Sequence, residues 1–256
     1  MQNNIFFEES NTNNVIVIEE VLSTNDFYKN FVSNTKPPEP FTAIMANHQK
    51  AGKGQRGNVW HSARGENLTA SFLLNPVKLN IQDQFVITMI SSLALKDVIS
   101  TLSAKQVQIK WPNDMLIDGK KIAGILIENI ISGQSIKHAI VGIGLNIFQK
   151  DFGVDLQDKT TSIILQNPGF DKIIHNIAQD IQQKLKDYTS LASTNLQELI
   201  SLYNESLFQR DTLASYSISG EPVQGKILKV DLDGLLQIQI DGELRKIDLK
   251  GISYKL

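Results

Sequence analysis

The chain contains no cysteine in 256 residues. That excludes a disulfide framework, a thiolate metal site and a cysteine nucleophile. Histidine is scarce as well: His48, His61, His138 and His175 fall in no pair at metal-ligand spacing, so no protein-built metal site is expected. Neither sign of charge dominates, with 25 Lys and Arg against 27 Asp and Glu mixed along the chain. Duplex nucleic acid needs a clustered basic excess, so no nucleic-acid partner is expected, although a basic pocket for one nucleotide is compatible with this charge. No apolar run approaches the roughly 18–20 residues of a membrane span, and no membrane partner is expected. Met1 to Ser10 lack the basic start and apolar core of a secretion signal, which points to a cytoplasmic protein.

What is present is a globular composition, 41% hydrophobic and 20% charged. A chain of this length buries one substantial core and leaves residues for a small second domain. Strands are expected at residues 15–21, 41–46, 68–74, 107–111, 115–117, 122–130 and 136–147. Helices are expected at 26–32, behind cap candidates Ser23, Thr24 and Asn25, and at 84–100, capped by Asn80. Further helices are expected at 171–188 and 196–208. Three prolines make 35–40 a loop. From about Thr212 short strands at 223–230, 235–240 and 244–249 are separated by Asp233-Gly234 and Asp241-Gly242, the turn chemistry of a small meander or barrel. The expected domains are 1–208 and 209–256. Strands and helices do not alternate regularly in the first, so the fold class is α+β.

Four segments carry candidate chemistry. In Gly52-Lys53-Gly54-Gln55-Arg56-Gly57, three glycines let backbone N–H groups turn toward an anion, while Lys53 and Arg56 add charge. A flexible surface loop with two solvated cations is the plainer reading. The segment ends in no Gly-Lys-Ser/Thr, so it is not a Walker A loop. The second segment runs from Lys110-Trp111-Pro112-Asn113-Asp114 through the Asp118-Gly119 turn to Glu128. A two-residue turn pairs Ile117 with Lys120, Leu116 with Lys121 and Asp114 with Ala123. Asp114 and Lys121 then share a face as diagonal neighbours, roughly 7–8 Å apart or less, with the small Ala123 leaving space for a ligand. Either they serve acyl or phosphoryl transfer, or they form an ordinary cross-strand ion pair. In the third, Gly142 and Gly144 on one strand face signal either close approach by backbone or a ligand, or tight packing of a helix. In the fourth, Ser23-Thr24-Asn25 at a helix start suit a polar ligand as well as a cap. Trp60, which closes the Gly-rich segment, is either core or a cover over a ligand.

Taken together these residues resemble the catalytic core of biotin protein ligases. That family carries Ser-Thr-Asn near the start, a Gln-x-x-Gly-Arg-Gly-Arg-x-Gly-type loop ending in Trp, Lys-Trp-Pro-Asn-Asp, Lys-Leu/Ile-Ala-Gly-Ile-Leu-x-Glu and a Gly-x-Gly-x-Asn strand. All five occur here in order, over residues 15–148. The resemblance implies a biotin–lipoate ligase core, similar to class II aminoacyl-tRNA synthetases, followed by a small SH3-like β-barrel. It implies that ATP and biotin are substrates with Mg²⁺, and that a biotin carboxyl carrier protein is the acceptor. The matching loop positions around biotin and its adenylate are Gly52, Lys53, Gly54, Gln55, Arg56 and Gly57, with Trp60 at the loop's end. Ser23, Thr24 and Gln49 match positions on the biotin ring system, beside Asn25. Lys121 matches the lysine next to the acyl-phosphate and Asp114 the aspartate near the reacting centre, which makes Lys121, Asp114 and Arg56 the catalytic candidates. Asn113, Gly124, Gly144 and Asn146 match pocket positions.

The loop departs from the family in having Lys53 where arginine is usual and Gln55 where several members have arginine, so Arg56 is the candidate to supply the guanidinium. Ser23 lies too near the start for a helix-turn-helix domain before it, so no repressor function is expected. The alternatives are a lipoate ligase with the same adenylate chemistry and a binding regulator without transfer activity. Sheet edges in such a fold offer a route to a homodimer.

Overall fold

The computed structural model describes residues 14–76, 79–249 and 251–255. Met1 to Ser10, which bear on the secretion-signal expectation, lie outside the described residues. The first sheet has seven strands: β1 (Val15–Val21), β2 (Ala43–Gln49), β3 (Asn67–Leu74), β4 (Gln108–Lys110), β5 (Asp114–Ile117), β6 (Lys120–Ser132) and β7 (Ser135–Asn146). Their order is β1-β2-β3-β7-β6-β5-β4, with β1 parallel to β2 and the other pairs antiparallel.

Period-two alternation gives the two faces of this sheet different jobs. Phe72, Leu74, Ala123, Ile125, Val141, Ile143 and Leu145 enter the main core. The intervening positions carry Ser71, Gly124, Gly142 and Gly144, which leave a shallow polar floor on the opposite face. The main core includes α2 (Phe85–Ser103), which packs with α4 (Ile174–Thr194) and α5 (Leu196–Glu205). Complete burial of each large apolar side chain there is worth about 1.5–3 kcal/mol. On the other face lies α1 (Thr24–Asn34), whose Tyr28 and Val32 pack on Ile44, Leu73 and Ile140. Tyr28 is fully buried, and its hydroxyl donates to Thr42 O at 2.7 Å.

Two expectations change here. Residues 81–103 are long and apolar enough to cross a membrane by length and composition, contrary to the sequence reading, yet most of that window is buried in the fold. Asn80 does not cap α2: it precedes a 3-10 turn at Ile81–Asp83, makes no side-chain capping bond, and leaves Gln84 at the helix start. A short helix α3 (Ile163–Gln166) follows the long loop after β7.

The second sheet holds β8 (Leu213–Ile218), β9 (Glu221–Val230), β10 (Leu236–Ile240), β11 (Glu243–Ile247) and β12 (Ile252–Tyr254). All pairs are antiparallel, in the order β11-β10-β9-β8-β12. β11 and β12 stand at opposite edges, so the sheet fits an SH3-like domain but is not closed into a barrel among the described residues. The segment between α5 and β8 pairs with β4: Ile109 N donates to Ser206 O at 2.8 Å and Phe208 N to Ile109 O at 2.8 Å. The second sheet is also tied to α5 through Asn204, which accepts from Val230 N at 2.6 Å and donates to Val230 O at 3.1 Å.

Candidate active site

A cavity of about 340 Å³ opens between the polar face of the first sheet, the start of α1, the Gly-rich segment and β12. Its floor exists because of the glycines. A Cβ at Gly142 would stand 2.4 Å from Asn25 Oδ1, and one at Gly144 would stand 2.3 Å from Cε2 of the Trp60 indole. At Gly142 the packed-helix reading of this strand holds, with Asn25 of α1 in the space, while Gly144 admits a side chain of the protein itself, the Trp60 ring. Trp60 is half-buried over the floor, and the Lys121 ammonium lies 5.6 Å from its ring centroid, within cation–π range.

The start of α1 sits at one end. Ser23 is the N-cap, its Oγ accepting from Asp26 N at 3.4 Å. Gln49 Oε1 accepts from Thr24 N at 2.8 Å and Thr24 Oγ1 at 3.0 Å. Ser71 Oγ, fully buried, lies 2.8 Å from Thr24 Oγ1 and 2.6 Å from Asn25 Oδ1. Asn25 Nδ2 donates to Leu126 O at 3.2 Å and Glu128 Oε2 at 3.0 Å. These polar groups are nearly all buried and mutually bonded, so they are held as a fixed array of donors and acceptors.

The β5–β6 hairpin supplies the charges at the other end. Asp118 (φ 49°) and Gly119 (φ 75°) make the turn, and Ile117 pairs with Lys120 and Leu116 with Lys121 as the sequence implied. Beyond that a bulge adds one residue to β6, so Asp114 faces Gly124 and not Ala123. Fully buried Ile122 is the residue inserted, and Ala123 turns into the core. Gly124 therefore provides the space: a Cβ there would lie 3.3 Å from Lys121 Cε and Nζ and 3.4 Å from Asp114 Oδ1. Lys121 Nζ meets Asp114 Oδ1 at 2.6 Å. Asn113 Nδ2 donates to Ile125 O at 2.5 Å and holds the strand entry in place.

Lys110, half-buried on the same wall, was not singled out from the sequence despite standing at the head of its motif. Its Nζ lies 4.0 Å from Asp114 Oδ2 and 5.4 Å from the Tyr254 ring centroid. Burial holds its pKa below the ordinary lysine value, against the pull of Asp114 and with the repulsion of Lys121. Tyr254 and Ser253 of β12 also border the cavity, and burial raises the Tyr254 phenol. Nothing local in the sequence marks these two residues; packing of the second sheet brings them in.

The Gly-rich segment forms the outer wall through Lys53, Gly54, Gln55 and Arg56. Arg56 (φ 59°) and Gly57 (φ 80°) are left-handed, and Arg56 is exposed with no ion pair among the described residues. Lys53 Nζ is tied to Asp26 Oδ2 at 2.6 Å, and that bond raises its pKa. Three expected site residues lie off the cavity wall. Gly57 points to open space, and Gly52 is pressed against Trp60, whose backbone oxygen would be 2.5 Å from an added Cβ. Asn146 is buried, donating to Thr161 O at 3.0 Å.

Residues 17–146, half of the chain, match the model of the biotin/lipoate A/B protein ligase family. The chain is 30% identical over 239 residues to the bifunctional ligase/repressor BirA of Bacillus spizizenii, covering 91% of this chain and 71% of that protein. The biotin protein ligase of Aquifex aeolicus, solved with biotin and ATP, shares the fold at a TM-score of 0.77 and 21% identity, over 94% of this chain and 99% of that one. The biotin protein ligase of Leishmania major in complex with biotinyl-5-AMP is 25% identical at a TM-score of 0.61, over 92% and 98% of the two chains. With the sequence match and the sheet that builds this cavity in agreement, the chain belongs to the biotin/lipoate A/B protein ligase family.

Proposed function

We propose that the chain is an ATP-dependent biotin protein ligase, which forms biotinyl-5'-AMP and transfers the biotinyl group to a lysine of a carboxylase or decarboxylase carrier domain. The observation that carries this reading is the Lys121–Asp114 pair set beside Gly124 in a cavity walled by the Gly-rich segment. The biotin ligases among its relatives support it.

In the first half-reaction a biotin carboxylate oxygen attacks the α-phosphorus of ATP, the bond to the bridging oxygen breaks, and pyrophosphate leaves. Negative charge grows on the phosphate oxygens. Lys121 neutralises it from the floor, with Arg56, Lys53 and the loop amides on the outer wall. Mg²⁺ is expected with ATP, where it would be carried by the nucleotide phosphates and would neutralise part of their charge. Closure of the Gly-rich segment keeps water from the mixed anhydride.

In the second half-reaction the acceptor amine attacks the acyl carbon, the bond from that carbon to the phosphate oxygen breaks, and AMP leaves. An amine attacks only when neutral. Asp114 accepts its proton through Oδ2, the oxygen that Lys121 leaves free. The same proposal places the enzyme in the cytoplasm, acting without nucleic acid or membrane, with a homodimer compatible with its sheet edges.

The test is pyrophosphate release from ATP with biotin or lipoate, by the wild type and Lys121→Ala. Biotin-dependent release that falls on the order of 10²–10³-fold in the variant is expected, the loss typical of one transition-state donor. Release with lipoate alone moves the chain to the lipoate branch of its family, and release with neither acid leaves a binding protein.

A further inference from the structure

Lys121 occupies an unusual place in the sheet. It is next to the bulge in β6, and β7 ends at Asn146 after pairing Leu145 with Ala123. From Ile122 back toward the turn, no residue of β6 is paired with β7. The backbone N–H and C=O of Lys121 would be unpaired on that side, a serious cost for buried groups and a loose footing for the side chain.

A short strap, residues 159–161, takes the place of the missing strand. Lys121 N donates to Lys159 O at 2.8 Å, and Thr161 N donates to Lys121 O at 2.9 Å, a parallel bridge centred on Thr160. The strap is held from behind by two side chains. Asn146 Nδ2 donates to Thr161 O at 3.0 Å, and Gln166 Nε2 donates to Thr161 Oγ1 at 2.9 Å. Asn146 and Thr161 are almost completely buried, so water is a poor substitute for that bond.

We propose that Asn146 is a positioning residue for Lys121, acting through the strap and not through the substrate. This deepens the ligase reading and rests on it for the reaction it serves. Bulges re-aim side chains, and this one aims Lys121 at Asp114 and the cavity only while its backbone is clamped. Loss of the Asn146 bond leaves Thr161 O unsatisfied, loosens the strap, and lets the ammonium wander from where the phosphate charge develops.

The test has two arms. Hydrogen exchange at the Lys121 amide needs no substrate and reads the strap directly; it is expected to accelerate in Asn146→Ala, and more mildly in Gln166→Ala. The second arm is a double-mutant cycle of Asn146→Ala with Lys121→Ala on biotin-dependent pyrophosphate release, with kcat and KM for ATP resolved. Asn146→Ala is expected to lower kcat about tenfold in the wild-type background, the worth of roughly one hydrogen bond, and to change little once Lys121 is gone. An equal loss in both backgrounds, a loss confined to KM for ATP, or an unchanged Lys121 exchange rate overturns the proposal. A wild type that releases no pyrophosphate with biotin overturns the ligase reading instead, and the exchange arm still decides the clamp.

Discussion

The β5–β6 hairpin and the Gly-rich segment border one cavity, yet they are held in different ways. Asp114, Lys121 and Gly124 stand in a sheet ladder, with the core packed under Ala123 and Ile125. The Gly-rich segment is held by a bridge between Lys53 and Val59, by Gly54 N to Asn58 O at 2.7 Å, and by the exposed Lys53–Asp26 ion pair. Val59 and Arg56 are exposed, and an added Cβ at Gly57 would meet nothing within 4 Å. The difference suits the chemistry proposed. Charges that must meet a transition state gain from a rigid frame, because no reorganisation is then needed as the reaction proceeds. A wall that must admit biotin and ATP and then exclude water has to move at little cost, and its few exposed bonds allow that.

The comparison is broken most directly at Asp114. Asp114→Asn keeps the shape of the hairpin and removes the proton acceptor, so transfer from preformed biotinyl-5'-AMP to a carrier lysine should fall by about 10²–10⁴-fold. Adenylate formation should fall much less, and the adenylate should accumulate. Equal losses in single-turnover measurements of the two steps would show that Asp114 serves only to hold Lys121. Glycine substitutions come next. Gly144→Ala places a methyl 2.3 Å from the Trp60 indole and should cost about 1–3 kcal/mol in denaturant unfolding, with weaker biotin binding as the ring is displaced. Gly57→Ala meets no neighbour but keeps φ at 80°, so about 1 kcal/mol of backbone strain is expected. If the loop glycine proves as costly as the floor glycine, the two regions do not differ in rigidity.

How far the sequence foretold this follows the same division. Local rules were enough for the hairpin: Asp118-Gly119 demands a tight turn with positive φ, and the turn sets the first two pairings. The bulge was not legible, because it depends on burying Ile122 against a core assembled from distant segments. The Ser23 cap could be read from its residue type, while the bonds linking Thr24, Asn25, Gln49 and Ser71 come from three separate elements. β12 is only three residues long and β8 carries no run of large apolar residues, so neither strand announced itself, and with β12 went Tyr254 and its place over Lys110. Asn146 was read as a pocket residue from its motif; its bond to Thr161 depends on how the loop after β7 returns.

The smallest effect expected is at the tether of the Gly-rich segment itself. Lys53 and Asp26 are both exposed, so Asp26→Asn should change global stability by no more than about 0.2–1 kcal/mol, and less at high salt. The hydrogen bond that Lys53 donates to Asp26 raises the lysine's pKa above its ordinary value in the folded chain. Its contribution is therefore complete at neutral pH and is lost only as the pH rises through that raised value. What should respond is the loop. Proteolytic nicking or hydrogen exchange between Lys53 and Asn58 is expected to be faster in Asp26→Asn than in the wild type at pH 7, while exchange in the β5–β6 hairpin at that pH is the same in both. An acceleration that reached the hairpin as well would mean that the two walls of the cavity move as one body, and that the frame around Lys121 is tuned by a single exposed ion pair.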